Sequence, residues 1–174
     1  PQVWDLGGLT VTTSSDGFVL ASATTATAAT QACAELLLFD TGAATHVCPP
    51  WYAPECPTKP LQQTVAPLRT VSGELLTTHG YKTVCYEFPH GIQATVTYVV
   101  TDVQYPILSV SLLTALGYSA TLNNKGGYLA YKKAAVVLTK RGTLLYLKPL
   151  RRLQLDCATV QKQIPDACDV TPAP

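Results

Sequence analysis

The chain has 174 residues, 47% of them hydrophobic and 13% charged, with six cysteines, 13 prolines and no methionine. That is about one domain's worth of chain, long enough to bury a core without disulfide staples, and its low charge excludes an intrinsically disordered protein. The longest apolar runs, such as Leu36–Phe39 and Ala134–Leu138, fall far short of the roughly 20 residues of a membrane helix, so no membrane span is expected.

A start at Pro1 with no Met anywhere reads as a mature or excised chain. Taken in order, Leu9–Thr13 and Phe18–Ala21 are β-prone runs around Ser14-Ser15-Asp16-Gly17, and Asp-Gly between such runs predicts a hairpin. Ala21–Thr30 holds only Ala, Thr and Ser; it has no apolar period and reads as either a flexible link or an indifferent helix. Leu36–Phe39 then predicts a buried strand that ends in Asp40-Thr41-Gly42-Ala43. A carboxylate at the end of a buried strand is costly unless a partner or a task holds it there. Cys48–Pro60 carries five prolines and predicts a surface loop.

Pro67–Leu76 and Tyr81–Phe88 are two β-rich runs around Thr77-Thr78-His79-Gly80, and Gly91–Val103 predicts a further strand. Tyr105–Leu108 is a short strand, after which Ser109 can cap a helix over Val110–Leu116 that Gly117 ends. Tyr118–Leu122, Tyr128–Tyr131, Ala134–Thr139 and Thr143–Leu147 read as strands, and beyond Pro149 the chain turns polar. The expected fold class is therefore all-β with one short helix.

Charge is uneven. Residues 1–124 carry three Lys or Arg against eight Asp or Glu, a balance of −5; residues 125–174 carry nine against three, a balance of +6. The second part could face an acidic partner or nucleic acid, but its basic residues come in bare pairs, Lys132–Lys133, Lys140–Arg141 and Arg151–Arg152, as a solvated face also would. The six cysteines (Cys33, Cys48, Cys56, Cys85, Cys157 and Cys168) allow about 15 pairings, though buried thiols are the expected state; Cys157 and Cys168 are the best candidates for a bridge. No C-x-x-C or second ligand pair accompanies His46 and Cys48, so neither a metal nor another cofactor is implied.

A lone fixed carboxyl is a poor catalyst of amide hydrolysis. Two within about 3 Å cannot both ionise, and their shared proton leaves one base and one acid. The chain has a single Asp-Thr-Gly, so the second carboxylate would come from another copy across a two-fold axis.

Leu37–His46, reading Leu-Leu-Phe-Asp-Thr-Gly-Ala-Ala-Thr-His, resembles the catalytic strand and turn of retropepsin-like aspartic proteases. Tyr105–Tyr118 resembles that family's closing strand and helix, and with Gly142–Leu147 the wording is similar to the polyproteins of Copia-type retrotransposons. The resemblance spans about residues 34–150. It implies an acid-protease barrel or sandwich and a homodimeric endopeptidase of retroelement polyprotein, located in the cell in cytoplasmic particles. Asp40, Thr41 and Gly42 would be catalytic. Ala43 and a flap hairpin within 71–82 would bind substrate, the flap through Val71, Ser72 and Gly73 or through His79 and Gly80. The expected organisation is an N-terminal extension and link (1–33), a protease domain (34–123), a basic β-rich extension like the start of a pre-integrase segment (124–150) and a polar tail (151–174). Ser109 stands where many family members have glycine, and no glycine-dense flap is present.

Against this, Asp40 could be an ordinary turn residue, and the fold could survive as a catalytically silent binding or assembly subunit. His46 reads as structural or exposed rather than as a base for Cys48. His79 and His90 read as solvated turn residues, Glu74 and Asp102 as surface residues, and Tyr81 and Tyr86 as packing groups.

Overall fold

The computed structural model describes residues 3–7, 18–20, 36–61 and 67–154. Among them the chain is all-β with one short helix. The strands are β1 (Val3–Asp5), β2 (Phe18–Leu20), β3 (Leu37–Asp40), β4 (Val47–Cys48), β5 (Leu68–Thr70), β6 (Thr78–Phe88), β7 (Ile92–Thr101) and β8 (Ile107–Ser109). Helix α1 (Val110–Ala115) follows, then β9 (Ser119–Asn123), β10 (Gly126–Tyr131), β11 (Ala134–Arg141), β12 (Leu144–Leu147) and β13 (Arg151–Leu153).

Most strands join one sheet in the order β13-β6-β7-β4-β8-β3-β12-β11-β10-β9, with β1 added in parallel to β7. Among the described residues the path is open, with β13 at one end and β9 at the other, so of the expected barrel or sandwich the closed barrel is not formed. Phe18–Leu20 is a strand as expected, but its partner is β5, in parallel. The other arm of the predicted hairpin, the Ala21–Thr30 link, and Cys33, Cys157 and Cys168 lie outside the described residues.

The centre of the sheet is an interlock. β8 runs parallel to β3, pairing Leu38 with Ile107 and Asp40 with Ser109, and antiparallel to β4, pairing Ile107 with Val47. The continuous apolar run of β3 is explained by burial on both faces. Leu37 and Phe39 enter the main core with Trp4, Tyr86, Tyr98, Leu108 and Leu113, while Leu38 enters a smaller core with Ala43, Val47, Leu68, Val99 and Ile107.

Packing and pairing run across the expected segment divisions. Trp4 and Leu6, inside the supposed N-terminal extension, are fully buried in the main core. The break expected after residue 123 falls inside the β9–β10 hairpin, and β12 pairs with β3 itself, Tyr146 with Leu38 and Leu147 with Leu37. The polar tail begins as β13, antiparallel to β6. Its Arg151 and Arg152 pair with Glu87 and Glu55, so part of the basic half is neutralised by the acidic half.

The proline-rich loop is fixed by an unusual inward lysine. Alternation along β6 points Lys82 inward with Val84, Tyr86 and Phe88, and it is 2% exposed. Its ammonium donates to the carbonyls of Tyr52 (2.7 Å) and Pro50 (3.3 Å), tying that loop to β6. Beneath the loop, the hydroxyls of Tyr52, Tyr86 and Tyr98 form a chain at 2.9 Å steps. Burial pushes Tyr52 up to about 12 and the buried Cys48 thiol up to about 12.

Candidate active site

The Asp40 turn begins where the apolar run of β3 ends. Asp40 is half-buried, and its Oδ1 accepts a hydrogen bond from the Gly42 amide at 2.7 Å. This is the short side-chain-to-backbone bond that Asp readily makes two residues ahead. Its Oδ2 is buried and has no hydrogen-bond partner among the described residues. Thr41 and Gly42 are exposed, whereas Ala43 is buried in the smaller core.

The turn is held from beneath by Ser109. Its hydroxyl donates to the Ala43 carbonyl at 2.6 Å, and the Ser111 hydroxyl donates to the same carbonyl at 2.9 Å. Ser109 also caps α1, its Oγ accepting from the Leu112 amide at 3.1 Å. A residue with a hydroxyl therefore does here what glycine could not: it joins the turn, the strand opposite Asp40 and the helix start. The carbonyl of Ala43, a residue expected to bind substrate, accepts from two hydroxyls.

Behind Ser109 sits His46, with no exposure. One ring nitrogen, Nδ1, accepts from the Ser109 amide at 2.9 Å, and the other, Nε2, lies 2.7 Å from the Leu6 carbonyl. A carbonyl can only accept and an amide N–H can only donate, so the ring is neutral with its proton on Nε2. Burial holds its pKa down to about 4, the bond to Leu6 and the charge of Asp5 opposing only in part. His46 is thus structural. It was not legible as a hub, because its two partners lie 40 and 63 residues away in sequence.

A hairpin turn lies at Val71-Ser72-Gly73, but its arms pair Arg69 with Leu75 and Leu68 with Leu76, so it begins before the expected 71–82 span and residues 78–82 belong to β6. Thr70 and Glu74 close it, the Gly73 amide donates to the Thr70 carbonyl, and Arg69 donates to the Gly73 carbonyl. The tip residues are exposed, and Leu68 and Leu76 at the root pack on the core that holds Leu38 and Ala43. His79 and Gly80, the other candidate for the tip, lie inside β6 instead. A Cβ at Gly80 would come 2.3 Å from the Lys59 carbonyl oxygen, so that glycine serves close backbone approach. His79 and Asp102, both read as solvated, bond to one another at 2.7 Å, which with a lesser contribution from Thr77 lowers the Asp102 pKa.

Two surface clefts, of about 440 and 370 Å³, lie along Pro149, one beside His90 and Val137 and the other beside Tyr52 and Arg152; neither is lined by the Asp40 turn. Among the described residues no His, Cys, Asp and Glu cluster could hold a metal ion, and no helix is long and apolar enough to cross a membrane. No family model matches the chain, and no curated protein or solved structure matches it.

Proposed function

We propose that the chain is one half of a retropepsin-like aspartic endopeptidase, completed by a second copy of itself. The reading rests on one observation above all: Asp40 ends a strand buried on both faces with one carboxylate oxygen fixed by Gly42 and the other buried without a partner among the described residues. A buried acceptor left unmatched is unfavourable, and a symmetry-related carboxyl sharing one proton would satisfy it. The exposed Thr41 and Gly42 beside it are available to meet their counterparts across the axis.

In such a pair the ionised Asp40 takes a proton from water as that water attacks the peptide carbonyl. The protonated Asp40 hydrogen-bonds the carbonyl oxygen, and the departing nitrogen then receives a proton from the dyad. The Val71–Gly73 tip would lie along an extended peptide and pair with its backbone. The substrate implied is the polyprotein of a Copia-type element, within a cytoplasmic particle.

Half a site per chain makes turnover depend on association, so specific activity on an unfolded peptide pool should fall on dilution and be lost in Asp40→Asn. Cleavage by Asp40→Asn equal to the parent's would end this reading. A folded parent that cleaves nothing at any concentration would leave the silent binding subunit.

A further inference from the structure

We propose that His46 is a positioning residue for the Asp40 turn, transmitting the docked state of the N-terminal strand to that turn through Ser109. Its bearing on catalysis rests on the protease reading; the coupling itself does not.

The path is short: backbone contacts seat β1, and the His46 ring and the Ser109 hydroxyl carry it on to the turn. β1 lies parallel to β7, Leu6 N–H bonds to the Thr95 carbonyl, and the Thr97 amide bonds to the Gly7 carbonyl. Trp4 and Leu6 fill the main core, and the Tyr118 hydroxyl donates to the Asp5 carbonyl at 2.8 Å. This seating presents the Leu6 carbonyl to His46 Nε2. That carbonyl is what keeps the proton on Nε2 and leaves Nδ1 bare for the Ser109 amide. Ser109 is the residue paired with Asp40, and its hydroxyl holds Ala43.

If β1 is not seated, nothing on that side fixes the ring. A proton on Nδ1, in either the other tautomer or the cation, would set a donor against the Ser109 N–H, and the strand opposite Asp40 would have to shift. Misplacement of catalytic groups by about 1 Å costs on the order of 100-fold. The backbone of His46 adds to the same joint, its carbonyl accepting from the Val99 amide at 3.0 Å. Of the groups facing the ring, Asp5 on β1 is charged, and Tyr98 on β7 lies edge-on at 6.3 Å with its hydroxyl held neutral by burial.

The test begins with the unaltered full chain. Its amide resonances are followed from pH 7 to pH 3 together with the His46 ring signal. Ser109 and Gly42 should each show a step at the ring's own midpoint, read as the difference between the parent and His46→Asn, the direct bond of Gly42 to Asp40 Oδ1 being common to both. Two variants separate the arms of the bridge. His46→Gln can still donate toward Leu6 but leaves the Ser109 amide without an acceptor; His46→Asn keeps an acceptor near the Nδ1 position and loses the donor. Neither titrates, so the step should vanish in both, and kcat should fall about 10- to 100-fold in His46→Gln with KM little changed, and less in His46→Asn. A Gly42 amide indifferent to the ring's titration overturns the coupling, with or without variants that fold. So does a His46→Gln protein with the parent's kcat and pH profile. If the parent itself cleaves nothing while Ser109 and Gly42 follow the ring, the protease reading fails and the coupling stands.

Discussion

The chain contains two Asp-x-Gly turns. In Asp5-Leu6-Gly7 the Gly7 amide donates to Asp5 Oδ1 at 2.9 Å, and in Asp40-Thr41-Gly42 the Gly42 amide donates to Asp40 Oδ1 at 2.7 Å. The local chemistry is the same, so that bond says nothing about catalysis. The surroundings differ. Asp5 is exposed at the end of a strand that alternates outward and inward, while Asp40 ends one that is buried on both faces and has an oxygen with no partner among the described residues. Asp5 is an internal control for the reading of Asp40 as a simple turn residue; His46 touches the Asp5 turn at Leu6 and reaches the Asp40 turn only through Ser109.

The largest expected effect tests that contrast directly. Asparagine at either position keeps an Oδ1 that can accept from the glycine amide, so both folds should survive. Asp40→Asn removes the base and the shared proton and should lower peptide cleavage by about 10²–10⁴-fold, whereas Asp5→Asn should leave it nearly unchanged. The comparison is read in initial rates on one peptide pool, with thermal unfolding as the check on folding. Equal losses at the two positions would make the Asp40 turn no more special than the Asp5 turn.

The second effect concerns the bridge between the turns. The His46 ring has a pKa of about 4 in the fold against 6.5 when free. Between these values the unfolded chain binds the proton that the folded one refuses. Its contribution to stability is therefore complete above about pH 6.5, declines as pH falls toward 4 and changes no further below. The shift corresponds to about 3 kcal/mol. Denaturant unfolding at pH 7 and pH 4 should show the parent losing about that much more than His46→Asn, carboxylate effects being common to both.

The third separates the glycines. Gly7 has a φ of +72°, and a Cβ there would meet the Leu116 side chain at 2.4 Å, while Gly42 is not among the positive-φ glycines. Gly7→Ala should cost about 1–2 kcal/mol of stability, and Gly42→Ala should cost less stability than that while lowering cleavage. If Gly42→Ala unfolds the protein and Gly7→Ala does not, the roles are reversed.

Much of this was legible in the sequence wherever the signal is local. The apolar run before Asp40, the Ser109 cap and Gly117 stop, and the strands from Ser119 to Leu147 are local signals, and they appear nearly as read. What failed was long-range. Trp4 and Leu6 are only two inward positions on a three-residue strand and its end, too short a pattern to announce a core element. His79-Gly80 looked like a turn because glycine punctuates turns, yet here it lets the Lys59 backbone approach β6. Lys82 follows the alternation inward, but its carbonyl partners sit on a loop some 30 residues earlier. At the candidate site Asp40, Thr41 and Gly42 were nameable from the motif. The joint of His46, Ser109 and Ala43 was not, because it is made when β1, β4 and β8 come together.

The smallest effect asks what holds the Asp40 turn and is missing from the Asp5 turn. Two hydroxyls share the Ala43 carbonyl, but they are not equivalent. Ser109 is buried, sits opposite Asp40 and also accepts from the Leu112 amide; Ser111 is exposed on α1 and bonds at a longer 2.9 Å. Ser109→Ala strips the helix cap and one of the carbonyl's donors, a loss of about 1–2 kcal/mol. Ser111→Ala leaves the carbonyl satisfied by Ser109 and the cap intact, so its cost should be about 0.5 kcal/mol. If the tie positions Asp40 rather than merely closing a turn, Ser109→Ala should also lower kcat more than its stability loss accounts for, at a temperature where both variants are fully folded. Ser111→Ala should leave kcat near the parent's. Equal kcat in the two variants would reduce Ser109 to a helix cap and leave the unmatched oxygen of Asp40 as what separates it from Asp5.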